Sequence, residues 1–102
     1  MDQRTAFKIV KEYLSFLHKS RFDFQKAYIF GSYAKGNFTE DSDIDLAVII
    51  RNLSNSFIAQ IELMKLGRKI DSRIEPHPFD ETDFNLLHPF AKEILTFGIE
   101  IK

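Results

Sequence analysis

The residues able to do chemistry lie between Tyr28 and Ile50, YIFGSYAKGNFTEDSDIDLAVII, where a Gly31-Ser32 turn is followed by the acidic pair Asp43 and Asp45. Ala27 to Phe30 is an apolar, aromatic and β-branched run closed abruptly by glycine, which predicts a short buried strand. If Tyr33-Ala34-Lys35 opens a helical turn, the N–H groups around Gly31 and Ser32 have no partner within it and point outward, as an anion site requires. Ile44 to Ile50 is apolar enough to predict a second buried strand. Period-two geometry puts Asp43 and Asp45 on one face at its mouth, where two carboxylates repel unless a cation lies between them. A hard divalent ion with oxygen ligands relieves that cost. A phosphate cradle beside a two-carboxylate metal site is the equipment for holding a nucleoside triphosphate through its magnesium and moving part of it.

Other readings of the same residues fail on particular positions. Gly31 to Gly36 has the spacing of a P-loop, but Asn37 and Phe38 stand where the phosphate-binding Lys and the metal-binding Ser or Thr are needed. Asp41, Asp43 and Asp45 mimic the first ligands of an EF-hand loop, yet Leu46 replaces its sharp-turn Gly and Asn52 its closing Glu. An acidic solvated loop next to a plain turn would account for each piece alone. It does not account for strand, turn, spacing, paired aspartates and second strand occurring together.

Gly31-Ser32, ten intervening residues and then Asp43-Ile44-Asp45 resemble the GS-x10-D-x-D signature of the polymerase-beta-like nucleotidyltransferase superfamily. With only 102 residues, the chain is similar to the minimal nucleotidyltransferases (MNT domains) that pair with HEPN proteins. The resemblance implies a nucleotidyltransferase fold and an EC 2.7.7-type enzyme that moves a nucleoside monophosphate, AMP from ATP or the equivalent from another NTP, to an acceptor hydroxyl. It implies two Mg2+ ions, metal-binding and catalytic roles for Asp43 and Asp45, and nucleotide binding by Gly31, Ser32, Lys35 and Ser42. It also implies a third carboxylate that completes the metal site and takes the proton from the attacking hydroxyl. Asp71 and Glu75 both qualify by type; Ile70-Asp71, at the start of the next expected strand, fits the family's position and is preferred. Larger relatives add a substrate-binding domain, so the acceptor surface is expected from a HEPN-type partner protein or a second copy of this chain. In that reading the protein is an antitoxin that adenylylates its partner. Transfer to a small molecule is the alternative activity, and a non-catalytic nucleotide-binding subunit is the alternative class.

The rest of the chain must position these residues. Its length suits one nucleotidyltransferase domain over residues 1–102, of α/β (α+β) class with a small mixed sheet of three or four strands and helices packed on it. Zero cysteines exclude disulfides and thiolate-bound metal, and no apolar stretch approaches the ~20 residues of a membrane span. A cytoplasmic protein is expected. Net charge is −1 and no Lys/Arg run forms a patch, so direct nucleic-acid binding is not expected. Acidic charge gathers late: residues 1–36 carry seven Lys/Arg against three Asp/Glu, residues 37–102 seven against twelve.

Ala6, Ile9, Val10, Tyr13, Leu14 and Leu17 predict a helix over residues 2–19, capped by Asp2 or Thr5, with Lys8, Lys11 and Lys19 on its wet face. Phe22 and Phe24 lead into the first strand. Ser54 or Ser56 is placed to cap a helix presenting Phe57, Ile58, Ile61 and Met64, with Gly67 closing it. Lys69 to Glu75 reads as a third strand stopped by Pro76 and Pro78. Pro89 opens a last helix ending before Gly98, and Ile99-Glu100-Ile101 follows as an edge strand or a tail. His77 lies within reach of the proposed site, and Phe38, Phe79 and Phe84 are available either to the core or to a partner.

Overall fold

A computed structural model describes all residues 1–102. Helix α1 (Gln3–Lys19) starts where the Asp2 carboxylate accepts a hydrogen bond from the Thr5 N–H, and it buries Ala6, Val10, Tyr13, Leu14 and Leu17 as one stripe. Strand β1 (Lys26–Phe30) runs into a single helical turn, α2 (Ser32–Lys35), and β2 (Ile44–Ile50) follows the acidic loop. Helix α3 (Ser56–Arg68), strand β3 (Ile74–Asp80), a 3-10 turn (Glu81–Asp83), helix α4 (Pro89–Phe97) and the short strand β4 (Ile99–Glu100) complete the chain.

The four strands form one mixed sheet in the order β3-β2-β1-β4, antiparallel between β1 and β2 and between β1 and β4, parallel between β2 and β3. The parallel pair needs a crossover, and α3 supplies it. One sheet face carries Ala27, Ile29, Ile44, Leu46, Val48 and Ile74 and packs with the stripe of α1 and with Ala59 and Leu63 of α3. The Tyr13 hydroxyl donates to the Leu63 carbonyl at 2.8 Å and ties the two helices together. On the opposite face, Tyr28, Ala47, Ile49 and Phe79 meet Ile94 of α4. The beginning of that face is where the acidic residues lie.

Three sequence expectations are corrected here. The third strand is Ile74–Asp80, not Lys69–Glu75, and Pro76 and Pro78 lie inside it. They are tolerated because β3 is an edge strand: Ile44 N–H bonds the Arg73 carbonyl, so in the parallel ladder the nitrogens of residues 76 and 78 face away from β2 and no N–H is missed there. Helix α3 is capped by Asn55, whose side chain accepts from Ile58 N–H, rather than by Ser54 or Ser56. It buries Ala59, Leu63 and Gly67 and leaves Phe57, Ile58 and Ile61 outside, Phe57 at 70% exposure. Gly67 does not close the helix; it lies inside it, where a Cβ would come 3.6 Å from the Tyr13 ring. Phe79 is buried and Phe38 and Phe84 pack against the core, Phe38 stacked on Tyr33 at 4.5 Å. The expected α4, opened by Pro89 and capped by His88, and the edge strand at Ile99 are present. No helix is long and apolar enough to cross a membrane.

Candidate active site

The Gly-Ser turn and the aspartate strand are direct neighbours. The β1–β2 register sets Phe30 opposite Asp45, so the chain leaving β1 turns directly over the start of β2. Gly31 takes φ 71° and ψ −147°, a conformation open to glycine and strained for other residues. It is also required for space, because a Cβ at this position would collide with the Asp45 carboxylate. Two independent constraints thus select glycine at one position. Ser32 and Tyr33 head the short turn behind it, where backbone N–H groups lack helical partners.

Strand β3 brings a further carboxylate beside Asp45, and the parallel register decides which one it is. Asp45 pairs with Glu75, and because side chains alternate, Glu75 and His77 project from the face that carries Asp45. Oxygens of Asp45 and Glu75 and a ring nitrogen of His77 lie within 4.8 Å of one another. His77 Nε2 is 3.5 Å from Asp45 Oδ1 and 3.9 Å from Glu75 Oε1. Burial pushes the Glu75 pKa up, the negative charge of Asp45 adds to the rise, His77 opposes it, and the charge of Asp43 and a hydrogen bond with it raise it again. Asp43 is solvent-exposed at the rim.

Asp71 is not in this group. It precedes β3 in a turn, and its carboxylate is occupied by Arg73, with Nε at 2.9 Å, Nη2 at 2.7 Å and the backbone N–H at 2.9 Å. That fork of hydrogen bonds holds its pKa below the usual carboxylate range. The expectation placed Asp71 beside the aspartate pair, and the structure places Glu75 there instead. A signal for this was present in the sequence. Ile74-Glu75-Pro76-His77-Pro78-Phe79 alternates with period two, the pattern of an edge strand that accommodates proline at every second residue.

The remaining expected nucleotide contacts are mixed. Lys35 Nζ lies 3.3 Å from Glu93 of α4 and 5.9 Å from the Phe97 ring centre, so it is held toward α4 at the edge of a small hollow that also includes Gly31. Ser42 Oγ accepts from Thr39 N–H at 2.8 Å and shapes the loop that delivers Asp43. The feature missed by sequence reasoning is aromatic. Phe30 and Phe90 flank the His77 ring, with centroids 5.1 and 6.1 Å away, and Phe79 meets Phe90 and His88 at 5.4 and 6.0 Å. From this cluster a cleft of about 430 Å³ continues along the β3 edge, past Phe57 and Gln60 of α3.

Two carboxylates and an imidazole converging around one point are a donor set for a divalent cation, and the buried, unpartnered Nε2 of His77 leaves one donor unclaimed. The residues present therefore fit a metal. The family profile described as Polymerase beta, Nucleotidyltransferase matches residues 11–102, and the chain belongs to this nucleotidyltransferase family. Its relatives include a "putative protein adenylyltransferase" of Methanocaldococcus jannaschii, 27% identical and covering 92% of this chain and 96% of its own. A second such protein of the same organism is 44% identical over 67% of this chain and 71% of its own. The fold matches a crystal structure of a "putative nucleotidyltransferase" from Sulfolobus solfataricus at 23% identity with TM-score 0.69, covering 96% of this chain and 80% of the other. It also matches a toxin-antitoxin structure with AMP-PNP at 26% identity with TM-score 0.65, covering 90% and 71%. The protein is a nucleotidyltransferase.

Proposed function

We propose that this protein transfers AMP from ATP to a hydroxyl of a partner protein, and that Asp43, Asp45 and Glu75 hold the magnesium on which the transfer depends. The observation that supports this most directly is that the Asp45 carboxylate fills the space where a side chain on Gly31 would lie, with Glu75 paired to Asp45. On this reading the Gly31-Ser32 turn holds phosphate and the acids hold metal, close enough together to serve one triphosphate. Bound there, the metal would neutralise charge on the phosphates and on the departing pyrophosphate. Ser32 and the N–H groups of its turn bind the terminal phosphates, and Gly31 lets them approach the backbone. The acceptor oxygen attacks the α-phosphorus, the bond to pyrophosphate breaks, and the acceptor proton passes to the Glu75 carboxylate beside Asp45. The protein acceptor is supported by the adenylyltransferase relatives, and the toxin-antitoxin neighbours support a HEPN-type toxin as that acceptor.

The test is transfer of label from [α-32P]ATP to proteins co-purified from the source cell, with the modified residue located by mass spectrometry. The expected result is one labelled partner with AMP on a hydroxyl side chain. Asp45→Asn should abolish the label. Label appearing only on small alcohols would replace the protein acceptor with a small-molecule one, and failure of calorimetry to detect any NTP binding with magnesium would remove catalysis altogether.

A further inference from the structure

Resting on the metal site proposed above, we infer that His77 is a further ligand of that site, engaged by the imidazole-accepting transition ions Co2+ and Zn2+ and not by the Mg2+ that the carboxylates hold.

The geometry is that of a ligand waiting for an ion. Ligand atoms around one such ion, bonded at roughly 2.0–2.2 Å, lie about 3.0 Å apart at octahedral angles and about 3.4 Å apart at tetrahedral angles. His77 Nε2 is 3.5 Å from Asp45 Oδ1 and 3.9 Å from Glu75 Oε1. A shift of less than about an ångström brings His77 Nε2 to the separation that shared ligands of one ion have, and the three ligand atoms all lie within 4.8 Å of one another. Neither separation is a hydrogen bond, whose usual range is about 2.7–3.2 Å. Nε2 is buried and has no hydrogen-bond partner, although two carboxylates face it. A buried polar atom left unpaired in this way is costly, and a cation would satisfy all three groups together.

The ring is also held in place. Pro76 and Pro78 fix φ on both sides of residue 77, and the rings of Phe30 and Phe90 confine the imidazole. Metal ligands restrained before binding lose less freedom on binding. Oxygen donors alone suit Mg2+; an imidazole adds far more for Co2+ and Zn2+, which lie higher in the Irving–Williams order and accept nitrogen readily.

The experiment measures binding of Co2+, Zn2+ and Mg2+, each alone, to the full chain by calorimetry, with the visible absorption of the Co2+ complex as a second readout. The variants are His77→Ala, His77→Gln and Asp45→Asn, with circular dichroism to confirm folding; His77→Gln keeps a polar group of similar size if His77→Ala does not fold. The expected result is a ~10–100-fold loss of Co2+ and Zn2+ affinity in both His77 variants, with a change of less than about threefold for Mg2+ and an altered Co2+ spectrum. Unchanged Co2+ affinity and spectrum in the His77 variants, while Asp45→Asn abolishes binding, would overturn the ligand role and leave the metal site standing. Metal binding that survives Asp45→Asn would overturn the metal site itself.

Discussion

At the scale of single residues, the position of one atom separates the two acids of the β3 region. The Glu75 pKa is raised by burial and by its aspartate neighbours, so its ionised form is the one the fold disfavours. A carboxyl whose folded pKa lies above its unfolded value contributes stability at low pH that is lost as pH rises through the folded pKa. Glu75→Gln should therefore raise the melting temperature of the metal-free protein at pH 7 and have no such effect at pH 3, while reducing transfer by ~10²–10⁴-fold as expected for loss of a general base. Asp71 has the opposite sign. Its depressed pKa stabilises the fold above the unfolded value, and that stability disappears as pH falls through the folded value. Asp71→Asn should lower the melting temperature at pH 7, lose that effect in acid, and transfer nucleotide at nearly the normal rate. Gly31→Ala should be the more severe change, costing about 1–3 kcal/mol in backbone strain and displacing the Asp45 carboxylate, so that thermal stability and nucleotide affinity fall together. Gly31, Ser32, Asp43 and Asp45 were legible in the sequence because their relation is local and written as spacing. Glu75 was legible only in part, because the alternation from Ile74 to Phe79 marks an edge strand but the parallel register that sets Asp45 against Glu75 spans thirty residues.

At the scale of elements, α3 shows how composition can mislead about orientation. Three of its large apolar residues, Phe57, Ile58 and Ile61, face outward, while Leu63 is buried and the small Ala59 and Gly67 let the helix lie close to α1 and β3. Leu63→Ala should therefore cost about 2–5 kcal/mol by denaturant titration, whereas Phe57→Ser should stay within about 0.5 kcal/mol. The reverse outcome would mean that the helix is rotated. Tyr13→Phe, which removes the hydroxyl that joins α1 to the Leu63 carbonyl, should cost about 1 kcal/mol. The cap of α1 and the proline start of α4 were readable because Asp2 and Pro89 act within a few residues of themselves, whereas the His88 cap of α4 was not read from the sequence. The face of α3 depends on what lies beneath it. That is a tertiary fact, and the run of large residues at its start pointed the other way.

At the scale of the whole molecule, the two sheet faces are treated differently. One is sealed by α1 and α3; the other is covered by α4 beyond its first residues, and the carboxylates occupy the uncovered end. The class of fold and the sheet size were legible from alternating strand and helix patterns, but the strand order was not, since it depends on the crossover through α3. Pro76 and Pro78, described above as tolerated at the edge, have a wider effect. Along β3 the outward side offers carbonyls without matching N–H donors at these two positions, and Gln60 already occupies the Pro76 carbonyl at 3.1 Å. An incoming chain seeking to extend the sheet finds its own carbonyls unanswered there. The opposite edge is only the two residues of β4. The molecule is thereby guarded against fibril growth at its longest open edge, even though that edge borders the cleft lined by His77, Phe79 and Gln60 and stays open to solvent.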